Sequence, residues 1–205
     1  MNNFKTGKHL FLMGDIGCGK STLIKNELKS HLDKVGGFYV QRIYKDNSLK
    51  GFRMCNVSEN DYTLDYHLTS DVCDFPLFIE KITETNWKIE ENIFLDSFNN
   101  IFKNKTGKSL ILMDEIGGFE LNNTYITKQI FDMLEGHIPI IGVIKSPKNK
   151  EVMKKILSNN SMLNNKDQNL AKLINHPNIE LLHLDNSNKA VITEKIKSWI
   201  GVNIK

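Results

Sequence analysis

A glycine-rich stretch, GDIGCGKS from Gly14 to Ser21, carries the clearest chemical signal in the sequence. Its spacing is G-x-x-x-x-G-K-[ST], in which glycines let successive backbone amides converge on the oxygens of a polyphosphate. Lys20 is then placed to reach the β and γ phosphates, and the Ser21 hydroxyl can ligate Mg²⁺. This Walker A pattern predicts that a nucleoside triphosphate such as ATP or GTP is bound by the following residues: Gly14, Asp15, Ile16, Gly17, Cys18, Gly19, Lys20, Ser21 and Thr22.

Two adjacent carboxylates form a second candidate group, in the stretch LILMDEIGG from Leu110 to Gly118. The apolar run before them predicts a buried strand. We expect Asp114 to hold the Mg²⁺ through water, together with the Ser21 hydroxyl, and Glu115 to polarise a water molecule for in-line attack on the γ phosphorus. The alternative is that Asp114 and Glu115 are simply solvent-exposed residues at the end of a strand, without a role in catalysis.

Phosphoryl transfer spreads negative charge over the γ oxygens, so a further cation would favour the reaction. The chain has only two arginines, Arg42 and Arg53, and each either faces the phosphates or forms a surface ion pair. Lys145 follows the apolar run IPIIGVI, and ligands of open parallel sheets lie beyond such strand ends. The catalytic candidates are therefore Glu115 and three cations: Lys20, Arg42 and Lys145.

These groups need strands and helices to position them. The apolar run from His9 to Met13 predicts a strand, and helical spacing of apolar residues predicts a helix from Lys20 to Leu32. Aromatic and branched residues alternate on both sides of a DNS turn, which predicts a hairpin from Phe38 to Val57. Short strands are predicted in DYTLDYHL and PLFIEKI, and a helix is predicted from Trp87 to Phe102.

The second half of the chain alternates strands and helices. A strand in SLILMDEIG, a helix from Ile126 to Glu135 and a strand from Ile138 to Ile144 predict parallel pairing. The loop SPKNK, a helix from Glu151 to Leu157 and an Asn-rich connection, SNNSMLNNKDQN, are expected next. A strand in NIELLHL and a helix in NKAVITEKIKSWI complete the prediction.

Length and composition indicate the class of protein. The 205 residues favour a single domain, 1–205, with a hairpin insertion at about 36–57 and an Asn- and Lys-rich C-terminal extension at about 146–205. A net charge of +3 without a dense basic patch does not indicate nucleic-acid binding. No apolar stretch approaches the roughly 20 residues of a membrane span, and an export signal is not recognisable. We expect a cytoplasmic protein without membrane contact, and leave a protein partner open.

Two further features allow two interpretations each. Phe38 and Tyr39 either stack on a nucleotide base or pack within the hairpin. Glu120 either orients groups near the site or begins a helix.

With these motifs in order, the chain resembles the small P-loop nucleoside-triphosphatases related to nucleoside and nucleotide kinases. The resemblance rests on four stretches: GDIGCGKSTL, GGFYVQRIYKDNSLKGF, LILMDEIGGFEL and IPIIGVIK. It implies an α/β fold of the P-loop NTPase type, a mostly parallel sheet between helices with an inserted β-hairpin. It also implies Mg²⁺-dependent hydrolysis of nucleoside triphosphates to diphosphate and phosphate. The family usually has Pro and Met where this chain has Gly118 and Phe119, and Arg or His where it has Lys145.

Two other activities use the same phosphate loop. A nucleoside or nucleotide kinase would pass the γ phosphoryl group to an acceptor under an arginine-rich lid, and this chain has almost no arginine. A nucleotide-switched regulatory or accessory ATPase would use turnover to reset a binding state. Hydrolysis is the prediction, with these two as alternatives.

Overall fold

The computed structural model describes residues 8–59, 61–70, 73–103, 107–146 and 165–204. Their strands are β1 (His9–Met13), β2 (Val35–Lys45), β3 (Ser48–Asn56), β4 (Asp65–His67), β5 (Ile79–Lys81), β6 (Trp87–Ile89), β7 (Leu110–Ile116), β8 (Ile140–Ile144) and β9 (Ile179–His183). Their α-helices are α1 (Lys20–Leu28), α2 (Glu91–Lys103), α3 (Thr124–Glu135), α4 (Asn165–Ile174) and α5 (Lys189–Asn203). Short 3₁₀ helices cover Lys29–Lys34 and Phe119–Asn122.

All the strands belong to one sheet, in the order β6-β5-β3-β2-β7-β8-β1-β9, with β4 paired to β2. Strands β2, β7, β8, β1 and β9 are parallel neighbours, whereas β3, β5 and β6 extend the sheet by antiparallel pairing. Helices join the parallel strands, because a parallel pair needs a crossover connection. The predicted α/β fold with a mostly parallel sheet is confirmed.

Hydrophobic side chains fill both faces of the sheet. In β1, Leu10 and Leu12 point to one face and Phe11 and Met13 to the other, as the two-residue period of a strand requires. On the first face lie buried residues of α1 and α5: Leu23, Ile24, Leu28, Ile192, Ile196, Trp199 and Ile200. On the second lie those of α2, α3 and α4, including Phe94, Phe98, Ile126, Ile130, Leu170 and Leu173. Among the described helices, none has the length and apolar character needed to cross a membrane.

The predicted hairpin is present, and its first arm is longer than expected. Strand β2 begins at Val35 and pairs with β7 in parallel before it pairs with β3. Asp46 and Asn47 form its turn with φ angles of 48° and 61°, the left-handed geometry of tight hairpins. The hairpin therefore continues the main sheet, and the C-terminal region likewise contributes β9 and α5 to the common core.

Several predicted boundaries differ from the structure, for example those of α3, which begins at Thr124, and β8, which begins at Ile140. Helix α1 ends at Leu28 and continues as a 3₁₀ helix, although the prediction ran to Leu32. The helix predicted from Trp87 begins at Glu91, because Trp87–Ile89 pairs with β5 as a strand. The Asn-rich connection ends earlier than expected, since α4 already begins at Asn165. The helix predicted from Glu151 to Leu157 lies outside the described residues.

Candidate nucleotide-binding site

The glycine-rich loop joins the end of β1 to the start of α1, as predicted. A side chain on Gly14 would place its Cβ 2.2 Å from the carbonyl oxygen of Leu184, so the loop approaches the end of β9 too closely for any other residue. Gly19 precedes α1 with a φ of 93°, which glycine adopts at little cost. Of the other predicted contacts, Asp15, Ile16 and Thr22 are exposed and Cys18 is half-buried.

The Lys20 side chain folds back into this loop. Its ammonium donates hydrogen bonds to the carbonyl oxygens of Gly14, at 2.9 Å, and of Asp15, at 2.8 Å. It also lies 3.8 Å from the Cys18 sulfur. Only 9% of Lys20 is exposed, and these hydrogen bonds provide the partners that a buried lysine usually has. A positive charge is therefore held on the inner side of the loop, at the N-terminus of α1.

Ser21 and Asp114, predicted as one metal site from separate motifs, are in contact. The Ser21 hydroxyl donates to Oδ1 of Asp114 at 2.8 Å, and the Tyr62 hydroxyl donates to Oδ2 at 3.2 Å. Burial raises the pKa of Asp114 from its usual 3.8 to about 7, and the neighbouring Glu115 adds to this, while the two hydroxyl donors oppose it. Burial also raises the pKa of Tyr62 well above its usual value, so Tyr62 keeps its proton and remains a donor.

The donor atoms at this contact suit a small divalent cation. Mg²⁺ prefers hard oxygen ligands and usually takes one or two from the protein, with the others from water and phosphate. The Ser21 hydroxyl and the Asp114 carboxylate are such donors, already adjacent. In the part of the chain that the structure describes, no cluster of three or more His, Cys, Asp or Glu residues could hold a metal alone. The residues present therefore fit Mg²⁺ better than an ion whose ligands must all come from the protein.

Glu115 occupies an irregular position in β7. Asp114 pairs with Val143 and Ile116 with Ile144, so Glu115 is an extra residue between two paired positions. A bulge of this kind redirects a side chain and is frequent beside active sites. Glu115 is half-buried, immediately after the carboxylate that contacts Ser21.

Glu120 braces the turn that follows β7. Its Oε1 accepts hydrogen bonds from the backbone N–H groups of Gly117, at 2.5 Å, and Gly118, at 2.6 Å. Burial raises the pKa of Glu120, while these amides and the nearby charge of Lys145 oppose the shift. Both interpretations therefore apply: Glu120 orients the backbone of this turn and also lies in the first turn of the 3₁₀ helix Phe119–Asn122. A proline in place of Gly118 could not donate the second bond.

Lys145 lies at the carboxyl end of β8, beside the turn after β7. Its backbone N–H donates to the Ile116 carbonyl at 2.7 Å, and its side chain is exposed. The next residue, Ser146, donates to the Gly14 carbonyl at 3.0 Å. Lys145 is therefore close to both predicted motifs in the fold, and its contact with a phosphate remains a prediction.

Both arginines have partners outside the phosphate loop. Arg42 forms a two-point ion pair with Asp65, with its Nε 2.6 Å from Oδ1, and the two side chains are 44% and 45% exposed. Arg53 donates to Gln41 at 2.7 Å and lies 3.8 Å above the centre of the Phe75 ring. In the structure Arg42 therefore forms the surface ion pair that the sequence analysis gave as the alternative to facing the phosphates. A catalytic role for Arg42 remains a prediction.

The suggestion that Phe38 and Tyr39 stack on a base is wrong. Both are fully buried, Phe38 against Phe98 and Phe102 and Tyr39 against Tyr62. They pack within the core because β2 is an interior strand of the sheet.

Sequence reasoning missed two residues near the loop. Tyr62 lies in DYTLDYHL, where the pattern predicts a short strand but no functional residue, and only the tertiary fold brings it to Asp114. The ammonium of Lys189 lies 3.8 Å from where a Cβ on Gly19 would stand. The rule used for Lys145 could have found Lys189, since it follows the last parallel strand in the same way.

Comparison with known proteins identifies the family and the fold of the chain. A family model described as NTPase matches residues 9–169. The solved human protein described as a cancer-related nucleoside triphosphatase is 18% identical, with a TM-score of 0.65 over 96% of this chain and 99% of that one. THEP1 from the hyperthermophile Aquifex aeolicus is 16% identical, with a TM-score of 0.61 over 96% of this chain and 99% of that one. At such identities the likeness establishes the P-loop NTPase fold. A search of curated proteins found no match.

Proposed function

The chain belongs to the NTPase family, and on that premise we propose that it hydrolyses nucleoside triphosphates such as ATP and GTP to diphosphate and phosphate. One observation carries the proposal. Ser21, at the start of α1, and Asp114, within β7, come from distant parts of the chain and lie 2.8 Å apart. This contact supports the proposal because it brings together two motifs, far apart in the chain, that the sequence analysis assigned to one nucleotide and metal site.

Binding begins at the loop. Its backbone amides and the N-terminal end of α1 attract the oxygens of a triphosphate. The Lys20 ammonium exchanges its bonds to the Gly14 and Asp15 carbonyls for bonds to the β and γ phosphates. These carbonyl contacts support the proposal because they hold the Lys20 ammonium inside the loop, where the phosphates of a bound nucleotide would lie.

We assign Mg²⁺ to Ser21 and Asp114. When bound, it neutralises charge on the β and γ phosphates. The chain prepares this position by burying the Asp114 carboxyl group, which is 2% exposed, and by directing the Ser21 hydroxyl to it. The proposal therefore includes a requirement for Mg²⁺, which phosphate release measured with and without Mg²⁺ tests directly.

Glu115 is the residue we assign to the attacking water. Its carboxylate accepts a hydrogen bond from the water and orients the lone pair toward the γ phosphorus. The water oxygen bonds to phosphorus while the bond to the β–γ bridging oxygen breaks and one water proton passes to the Glu115 carboxylate, which yields the diphosphate and phosphate. The bulge in β7 supports this role because it turns Glu115 out of the regular strand pattern.

Hydrolysis is favoured over transfer to an acceptor by the distribution of arginine. Kinases of this fold cover the acceptor with an arginine-rich lid. The two arginines of this chain both lie in the β2–β3 hairpin, one paired with Asp65 and the other with Gln41. Neither is available to such a lid in this arrangement.

The test is phosphate release from each nucleoside triphosphate, with and without Mg²⁺, by the wild type and by Glu115→Gln. We expect Glu115→Gln to lower turnover about 100-fold or more, the range of a lost general base, with nucleotide affinity almost unchanged. Glu84→Gln is the matched control, since that side chain is 91% exposed at the far edge of the sheet. Near-normal turnover by Glu115→Gln, or a wild type that releases phosphate only when an acceptor is phosphorylated, would contradict the proposal.

A further inference from the structure

Two buried tyrosines lie side by side behind the metal-binding carboxylate. Tyr39 belongs to β2 and Tyr62 to the connection between β3 and β4, and their ring centres are 4.6 Å apart. Tyr39 is fully buried, and Tyr62 is 4% exposed. Their hydroxyls have different partners: that of Tyr39 donates to the Asp61 carbonyl at 3.0 Å, and that of Tyr62 donates to Asp114.

The Asp114 carboxylate is held from both sides. Oδ1 accepts from Ser21 and Oδ2 accepts from Tyr62, so each oxygen has one hydroxyl donor. Rotation about the Cβ–Cγ bond would break both contacts at once. In this site, where Asp114 is 2% exposed, a lost donor is not readily replaced by water.

Hydrogen bonds from β2 hold the segment that contains Tyr62. The Gln41 amide donates to the Thr63 carbonyl at 2.6 Å and to the Thr63 hydroxyl at 2.8 Å. The Arg42 backbone N–H donates to the Leu64 carbonyl at 2.9 Å. These contacts hold Thr63 and Leu64, the two residues directly after Tyr62, against β2. The hydroxyl therefore approaches Asp114 from a rigid support.

We propose that Tyr62 is a positioning residue for the divalent cation: its hydroxyl fixes the plane of the Asp114 carboxylate so that Oδ1 remains directed at Ser21. This inference rests on the proposed function, because it acts through the Mg²⁺ assigned to Ser21 and Asp114. Groups that orient metal ligands in this way commonly change metal affinity about 10- to 100-fold when they are removed. Tyr62 touches neither the nucleotide nor the metal in this scheme and acts only through Asp114.

The competing interpretation is that Tyr62 only packs against Tyr39. Tyr62→Phe separates the two, because it keeps the ring and removes the hydroxyl. Tyr39→Phe is the matched control, since it removes a buried hydroxyl from the same ring pair without touching Asp114. Thermal unfolding of both variants reports the structural cost of each deletion.

The experiment measures affinity for a nonhydrolysable ATP analogue by calorimetry as Mg²⁺ is varied, and again with Mg²⁺ removed by EDTA. We expect Tyr62→Phe to raise the Mg²⁺ concentration for half-maximal effect about 10-fold or more, with metal-free affinity unchanged. Tyr39→Phe should stay within about twofold of the wild type.

Two results would overturn the inference and can be told apart. An equal Mg²⁺ requirement in Tyr62→Phe and Tyr39→Phe, with normal Mg²⁺ dependence in the wild type, would reject the positioning role and leave the proposed function intact. A wild type whose nucleotide affinity does not depend on Mg²⁺ would reject both the metal assignment and the inference.

Discussion

Asp114 is the residue at which the two halves of the site meet. Its carboxyl group is enclosed in the core and receives hydroxyl donors from α1 and from the connection after β3. Burial disfavours its charged form, and a divalent cation nearby would restore it. If Mg²⁺ binds here as proposed, the free-energy cost of ionising Asp114 is subtracted from the binding free energy of the metal.

This burial predicts a pH-dependent stability. Because the pKa of Asp114 rises from 3.8 to about 7, the folded chain binds that proton more tightly than the unfolded chain. The stabilising contribution of this group is then complete below about pH 4 and is lost as the pH rises to about 7. Asp114→Asn removes the titration. In urea unfolding with EDTA, we expect the wild type to lose stability relative to Asp114→Asn over this range, and a constant difference would contradict the prediction.

At the scale of elements, the phosphate loop follows β1, and residues that follow β8 and β9 hold its first residues in place. The Leu184 N–H, after β9, donates to the Met13 carbonyl at 2.7 Å, and Ser146, after β8, donates to the Gly14 carbonyl at 3.0 Å. Gly14 itself packs directly against the Leu184 carbonyl. The loop that ends β1 is thus part of the sheet edge and has little freedom to move.

Gly14→Ala tests this tight contact. The added Cβ would lie 2.2 Å from the Leu184 carbonyl oxygen, so the backbone must shift. We expect a loss of about 1–3 kcal/mol in the free energy of unfolding, as for other overpacked sites, and weaker nucleotide binding. The matched control is Gly201→Ala in α5, where no atom lies within 4 Å and alanine should stabilise the helix slightly. Equal stability and affinity in Gly14→Ala and the wild type would contradict the account of the loop.

The elements also show what the sequence can and cannot predict. The phosphate loop was predictable because its strand, turn and helix are contiguous and each has a local signal. The start of α2 was not, since Trp87 and Ile89 suit one face of a strand as well as a helix, and pairing with β5 decides between them. A strand was predictable in the segment of Tyr62, but its role beside Asp114 was not, because that position depends on how the segment pairs with β2.

At the scale of the molecule, parallel strands bring their carboxyl ends to one edge of the sheet, where ligands of such folds bind. The phosphate loop follows β1 there, Glu115 lies near the end of β7, Lys145 directly follows β8, and Lys189 begins α5 after the loop that follows β9. Lys189 lies beyond the matched residues 9–169. The last quarter of the chain therefore contributes to the edge where we place the nucleotide, as well as to the core.

The central claim is that the Gly14–Ser21 loop binds a triphosphate, and direct calorimetric titration with a nonhydrolysable ATP analogue and Mg²⁺ tests it best. The account predicts measurable heat with the wild type and an affinity about 10- to 100-fold lower for Lys20→Ala, the loss expected for one charge-assisted phosphate contact. Thermal unfolding of the same samples should show a larger stabilisation by the analogue in the wild type than in Lys20→Ala. No heat from folded wild-type protein, or equal affinity in Lys20→Ala, would contradict the claim.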